Sequence, residues 1–337
     1  MIPIGVVVIG RNEGERLVNC LKSLLRQNCE KIPIIYVDSG SSDGSCEKAQ
    51  ELGVEVVNLD LSTPFTAARA RNAGFTKLRE NHPEVIAVQF LDGDCEMLEG
   101  WLSSTAKTIE ENPDVVAVCG FREERYPEKS VYNRICNVEW QMGKIGEILN
   151  FGGDVMIRAE TLAAIGGYNE KVIAAEDDEV SIRLRQTGGK IVRLAGIRVI
   201  HDANMHNAKQ WWQRAKRSGY GFAQVAYLHG KSPEQKFLKE LRRTWLWGMI
   251  VPVIAIALVV VSHGLSLLLF LRYPLTAIKV IYQSHKQGFT WKDSLAWGIS
   301  CSLSAFPAVL GTIRFYWDLL NKKQHTIIEY KTARAAS

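Results

Sequence analysis

Apolar residues in the first 120 positions come largely in short runs rather than in regular alternation with polar ones. The runs are Val6-Val7-Val8-Ile9, Ile34-Ile35-Tyr36-Val37, Val54 to Leu59, Val85 to Leu91, and Val115 to Cys119. Runs of this length, rich in β-branched residues, predict strands covered on both faces. Between them the apolar positions change period. Leu17, Cys20, Leu21, Leu24 and Leu25 recur at helical spacing, a second helix is expected up to about Leu52, and others over Ala67 to Leu78 and Trp101 to Glu111. Strands alternating with helices of ten to fifteen residues imply right-handed crossovers and a mostly parallel α/β sheet of Rossmann-like type. Ligands of such sheets bind at the carboxyl ends of the strands.

Acidic residues stand at those ends: Glu13 after the first run, Asp38 closing the second, and Asp92-Gly93-Asp94 closing the fourth. Residues two apart on a strand point the same way, so the carboxylates of Asp92 and Asp94 are expected to leave the sheet together. Two hard oxygen donors on one side suit Mg²⁺ or Mn²⁺ holding a diphosphate, and Gly93 lets a bulky ligand approach the backbone. The first strand runs into Gly10-Arg11-Asn12-Glu13-Gly14. This is not G-x-G-x-x-G, so the phosphate cradle of a dinucleotide-dependent hydride-transfer enzyme is missing. Acids after the strands suit instead a reader of base or ribose beside a metal-bridged diphosphate, which points to a nucleotide-sugar.

The carboxy-terminal third changes the picture. Net charge is +5, and nine Lys/Arg lie between Lys209 and Arg243 against Glu234 and Glu240. Such a stretch suits anionic lipid or nucleic acid; the residues after it favour lipid. Trp245 to Leu271 is 27 residues without Asp, Glu, Lys or Arg, and 294–313 is a second uncharged stretch of 20. Each meets the length of a membrane-spanning helix. The segment Ile4 to Ile9 is too short for a signal peptide and runs directly into charge. Seven scattered cysteines (20, 29, 46, 95, 119, 136, 301) without C-x-x-C spacing are expected as reduced thiols, neither a disulfide framework nor a zinc site.

By Asp94 the sequence resembles the inverting family 2 glycosyltransferases with a GT-A fold, of the membrane-associated bacterial type. The matching pieces run in family order: Arg11-Asn12-Glu13 after a Val-rich strand; Val37-Asp38-Ser39-Gly40-Ser41-Ser42-Asp43-Gly44; Ala70-Arg71-Asn72-Ala73-Gly74; and Phe90-Leu91-Asp92-Gly93-Asp94. Gly152-Gly153-Asp154, Gly166-Gly167-Tyr168, Glu176-Asp177 ahead of Arg183-Leu184-Arg185-Gln186-Thr187-Gly188, and His201 follow. The resemblance covers roughly residues 4–230. It implies a catalytic domain over 1–230, with a basic linker and membrane helices over 231–337.

The resemblance also implies roles by position. Asp38 would bind base or ribose, with Glu13 and Arg11 lining the same pocket. Arg71 would approach the nucleotide or its phosphates. Asp94 would ligate the metal, Asp92 would lie near ribose or metal, and His201 would complete the metal or diphosphate site. Gly153, Asp154, Glu176 and Arg214 would border the acceptor and diphosphate. The cofactor implied is Mg²⁺ or Mn²⁺. The partners are a nucleoside-diphosphate sugar, a glycan or lipid-linked acceptor and membrane lipid, with no nucleic acid.

Asp177 is the candidate base, and Asp178 the runner-up. Inversion is a single displacement in which the acceptor hydroxyl must shed its proton. Val180 and Leu184 share a helical face, so Asp177 is expected at a helix start, where the dipole favours the ionised form. A rival acceptor is a polyprenyl phosphate, which needs no strong base. A nucleic-acid-binding membrane protein would leave the strand-end acids unexplained, and a decayed binding module would not keep them all.

The catalytic domain is expected in the cytoplasm. Nine cations (Lys231, Lys236, Lys239, Arg242, Arg243, Arg314, Lys322, Lys323, Lys331) flank a two-span hairpin, against four (Arg272, Lys279, Lys286, Lys292) between the spans. Those four fit poorly outside. The alternative is a re-entrant hairpin broken near Ser262-His263-Gly264, with an amphipathic segment around Leu275, Ile278 and Ile281 on the inner surface.

Overall fold

A computed structural model describes residues 1–27, 32–232, 234–323 and 326–329; Cys29 and Lys331 lie outside the described residues. The chain forms two compact units, one of residues 1–125 with 140–203 and the other of 126–139 with 204 onward. The helix over 208–229 belongs to the second unit, where it packs along the last helix.

The elements run β1 (Ile4–Gly10), α1 (Glu15–Leu25), β2 (Ile34–Asp38), α2 (Ser45–Glu51), β3 (Glu55–Asn58), α3 (Ala67–Asn81), β4 (Ala87–Asp92), β5 (Cys95–Met97) and α4 (Trp101–Glu111). Then come β6 (Val115–Glu124), α5 (Val131–Gln141), β7 (Gly146–Ile148), β8 (Val155–Arg158), α6 (Ala159–Ala164), α7 (Glu176–Gln186) and β9 (Lys190–His201). Helices α8 (Ala208–His229), α9 (Leu238–Trp245), α10 (Val251–Ala257), α11 (Arg272–Lys286), α12 (Trp291–Leu303) and α13 (Ala305–Leu320) complete the described chain.

The sheet order is β3-β2-β1-β4-β8-β6-β9-β5, with β7 also on β9. The first four strands are parallel, and their register sets Gly10 opposite Asp38 and Ile9 opposite Asp92. Three carboxyl ends thus meet at one edge. Alternate residues of β1 feed opposite faces. Val7 and Ile9 pack with Phe75 and Leu78 of α3, while Val6 and Val8 pack with Leu17 and Leu21 of α1. Gly74 is what lets α3 lie so close, because a Cβ there would sit 2.3 Å from Val7. Beyond β4 the alternation stops. Strand β8 inserts antiparallel between β4 and β6, and β6 runs past Cys119 to Glu124 with irregular register against β9.

In the second unit, α8 opens with Asn207 and Gln210 capping each other's backbone, the reciprocal arrangement that satisfies two first-turn amides. The uncharged run over 245–271 is not one helix. α10 ends at Ala257, and a turn follows with His263 and Gly264 at positive φ (47° and 86°). A 3₁₀ segment, Leu265–Leu271, then leads into α11. Apolar composition carries length but not the break, which lies at Ser262-His263-Gly264. Among the described residues, the stretch apolar and long enough to cross a membrane is instead Leu265–Lys286, and α12 with α13 passes only as a pair bent by 41°.

Candidate active site

The β2 end is organised by Asp38. Its carboxylate accepts from the amides of Gly40 (2.8 Å) and Ser41 (2.7 Å) and from the Tyr36 hydroxyl (2.8 Å), and also from Ser41 Oγ. Burial alone would raise its pKa, but the Ser41, Tyr36 and Gly40 hydrogen bonds hold it below the ordinary carboxylate value. A carboxylate has about four lone-pair sites, and all are engaged. Asp38 therefore shapes the loop, and the groups it exposes toward solvent are those of Ser41 and Ser42, tied in turn to Asn12. Beside this loop Glu13 pairs with Arg16 at 2.7 Å, and the Arg11 guanidinium lies 4.6 Å from the Phe65 ring.

Arg71, on α3, is the hub. It is 2% exposed, and its guanidinium reaches Glu176 Oε1 at 2.9 Å, Asp92 Oδ1 at 3.1 Å and Asp177 Oδ1 at 3.4 Å. The face of its fork lies over Tyr168, 5.3 Å from the ring centre. Burial works against its charge, yet Asp177 and Asp92 raise its pKa well beyond the ordinary value. One buried cation thus binds three carboxylates from two separate stretches of chain.

Helix α7 begins at Glu176, as the spacing predicts, but Asp177 is not held ionised by the helix end. Burial raises its pKa to about 8; Arg71 pulls the other way, while Glu176 and Asp92 add to the rise. Desolvation and like charge outweigh the dipole because this first turn is packed into the sheet edge rather than exposed. Its Oδ1 makes no hydrogen bond. The Asp177 side chain keeps 17% of its surface open at this edge.

Gly152 and Gly153 close over these groups. A Cβ at Gly153 would stand 2.7 Å from both Arg71 Nη2 and Asp92 Oδ2, and one at Gly152 would strike Arg122. Asp154, beside them, is paired with Arg122; burial raises its pKa and Arg122 opposes the rise. We expect Gly153→Ala to fold with a stability loss of about 1–3 kcal/mol from overpacking. It should weaken nucleotide-sugar binding in calorimetry, because the added methyl pushes Arg71 off Asp92. Unchanged affinity would show that the pair has no part in the donor pocket.

Asp94 turns elsewhere. β4 ends at Asp92, so the strand alternation expected to align the two carboxylates stops two residues short of Asp94. Asp92 goes to Arg71, while Asp94 meets His201, whose Nε2 lies 3.1 Å from Asp94 Oδ1. The antiparallel pairing of β5 with β9 sets Cys95 opposite His201, and the Asp202 amide donates to the Asp94 carbonyl at 3.1 Å. Asp94, Cys95 and His201 present donor atoms all within 4.8 Å of one another. Asp92, also expected as a ligand, is not part of this group among the described residues. The His201 ring is buried and stacks flat on Trp140 (4.3 Å, 7°), yet neither ring nitrogen makes a hydrogen bond. A buried imidazole in that condition, beside a carboxylate and a thiol, fits a divalent cation.

Cys95, Trp140 and Arg122 are the residues that sequence reasoning missed. Only Cys95, adjacent to the acidic triplet, carried a signal. In the second unit Arg214 is forked onto Glu139 of α5 at 2.6 and 3.1 Å, so its side chain is engaged there. The six described cysteines are free thiols.

Residues 5–166 match the family model of glycosyl transferase family 2. The chain carries a family 2 glycosyltransferase domain. Glycosyltransferase AglE of Haloferax volcanii is 24% identical to it over 235 residues, covering 67% of this chain and 74% of the relative. The glucosyl-dolichyl phosphate glucuronosyltransferase of the same organism is 22% identical over 251 residues, 67% of this chain and 78% of the relative. Mannosyltransferase PcManGT from Pyrobaculum calidifontis, solved with GDP-Man and Mn²⁺, has the same fold. Its TM-score is 0.63 at 19% identity, covering 94% of this chain and 87% of that one. The sheet and helices of this glycosyltransferase are those of the GT-A fold.

Proposed function

We propose that this glycosyltransferase moves a sugar, with inversion at the anomeric carbon, from a nucleoside-diphosphate sugar to a hydroxyl of a lipid-linked or glycan acceptor. The reaction takes place at the cytoplasmic face of a membrane. The observation that carries the reading is Asp177. It is an accessible carboxylate of raised proton affinity, held by Arg71 at the sheet edge where strand-end ligands bind. Asp177 takes the proton of the attacking hydroxyl. Arg71 holds it in place while also binding Glu176, and Asp92 shares Arg71 from the donor side. The Ser41–Ser42 loop that Asp38 braces, with Glu13 and Arg11 alongside, meets the nucleoside. Asp94 and His201 would hold Mg²⁺ or Mn²⁺, which when bound supplies positive charge to the leaving diphosphate. The named acceptor chemistry of the dolichyl-phosphate relative and the apolar stretch Leu265–Lys286 support a lipid-linked acceptor.

The deciding experiment is transfer from a panel of nucleotide-sugars by the full-length protein, with the product's anomeric configuration read by NMR. Inverted product is expected; retained configuration would overturn the single displacement. Because imidazole and thiol suit Mn²⁺ better than Mg²⁺, which prefers oxygen donors, activity should be higher with Mn²⁺, and His201→Ala should narrow that preference. Asp94→Ala should lose donor binding and turnover. Full turnover in excess chelator would exclude the metal.

A further inference from the structure

Within the second unit, α10 and the 3₁₀ segment Leu265–Leu271 form the two arms of a hairpin whose tip is the turn over 258–264. The arms are locked together at their base. The Arg272 guanidinium lies 5.0 Å from the Trp247 ring, and the Tyr273 hydroxyl donates to the Trp247 carbonyl at 2.5 Å. Nearer the tip, Ser266 Oγ donates to the Ala255 carbonyl at 2.7 Å. Trp, Tyr and Arg at one level are the side chains that settle at a membrane–water interface. Beyond that level the hairpin carries no Asp, Glu, Lys or Arg. Val253, Ile256, Val260, Val261, Leu265 and Leu268 are all exposed, with Val260 and Val261 at 81% and 80%.

Val260 lies thirteen positions after Trp247, a reach of about 20 Å at helical rise against about 30 Å of hydrocarbon core. The tip stops short of the far surface. Much of its backbone is satisfied internally. The amides of Leu258, Val259, Ser262, His263, Gly264 and Leu265 all donate to backbone carbonyls within the turn and the end of α10, and the Ser266 amide donates to Ser262 Oγ. Lipid tolerates backbone only where its polar groups are satisfied internally. Past the base, α11 sets Arg272, Lys279 and Lys286 at seven-residue intervals on one stripe, with Leu275, Ile278 and Tyr282 exposed beside it. That is the pattern of a helix lying in the interface. On the other arm α9 exposes Lys239, Arg242 and Arg243.

We propose that residues 247–272 dip into one leaflet of an anionic bilayer and return to the side they entered, with α11 lying along that same surface. Leu265–Lys286, though long enough, does not cross. The proposal rests on the membrane reading above, and its test separates the two. The full-length protein is reconstituted into vesicles of phosphatidylethanolamine and phosphatidylglycerol, with the native cysteines replaced by serine. Single cysteines at Lys107→Cys, Val261→Cys and Lys286→Cys are then probed with a membrane-impermeant maleimide. Positions 107 and 286 are expected to label to the same extent in intact vesicles, and 261 only after detergent. Labelling of 286 from the face opposite 107, or of 261 in intact vesicles, would overturn the hairpin while leaving membrane binding standing. As a second measurement that keeps the native cysteines, Val260→Asp with Val261→Asp should reduce vesicle flotation at least tenfold while helical circular dichroism is unchanged. Undiminished flotation would overturn insertion of the tip. Failure of the unaltered chain to float at all would sink the membrane reading itself.

Discussion

Asp177→Asn is expected to lower the transfer rate about 10²–10⁴-fold, the usual contribution of a positioned base, with little change in donor affinity. The amide is isosteric, so the Arg71 contacts to Glu176 and Asp92 stay in place and only proton acceptance is lost. The pH profile separates this from a structural defect. With its pKa raised to about 8, Asp177 carries a proton at neutral pH, and only the ionised fraction accepts one from the acceptor. kcat/KM should therefore climb with pH and level off above about 8, and the variant should lose that limb. The same shift acts on stability with the opposite sense. A folded-state pKa above the ordinary 3.8 means that the native chain binds a proton the unfolded chain has released. Stability thus declines as pH rises from 3.8 to about 8. Asp154, also raised by burial, adds to that decline and is untouched by the substitution. Thermal melts across this range should show a shallower slope in Asp177→Asn. A variant that transfers at the unaltered rate to its natural acceptor would remove Asp177 as base and favour a phosphate acceptor. The same loss in Asp178→Asn alone would move the role by one residue.

The strand ends were legible because β2 and β4 are short apolar runs closed by an acid and β1 is followed by one at Glu13, and parallel register puts such ends on one edge. The helix Trp101–Glu111 and the start of α7 at Glu176 follow from apolar period alone. Partnerships were not legible in the local pattern, because they depend on where a distant segment lands. Nothing near Asp94 announces His201, which only the family resemblance placed beside the metal. The two meet because β9 returns antiparallel to the three-residue β5, a strand too short to leave a pattern. Trp140 and Arg122 lie in a segment with no periodic signal and enter the site by packing. The proton affinity of Asp177 was misjudged for a related reason. A helix start is visible in sequence, but whether it faces water or three other charges is decided by α3 and the glycines at 152 and 153. Along the apolar run over 245–271, composition shows the length of the run but not the break at His263-Gly264, which depends on backbone conformation.

Arg71→Met should be the most damaging single change in the catalytic unit. Methionine fills much of the same volume but leaves Asp92, Glu176 and Asp177 facing one another without their shared cation. Removing one partner of a buried ion pair typically costs about 3–5 kcal/mol, because the remaining charge is left uncompensated. The loss should depend on pH in a definite direction. Arg71 is the group that lowers the pKa of Asp177 against burial. Without it that pKa moves higher still, the folded chain holds its protons over a wider range, and stability falls more steeply as pH rises. Denaturant melts should accordingly find a larger deficit at pH 8 than at pH 5, and whatever transfer survives should be displaced to more alkaline pH. Arg71→Lys restores a charge but not a planar fork, and a single ammonium cannot bridge carboxylates from β4 and α7 together. It should recover part of the stability and little of the rate. A melt of Arg71→Met that overlays the unaltered protein at both pH values would mean that the three carboxylates are neutralised by something other than this guanidinium.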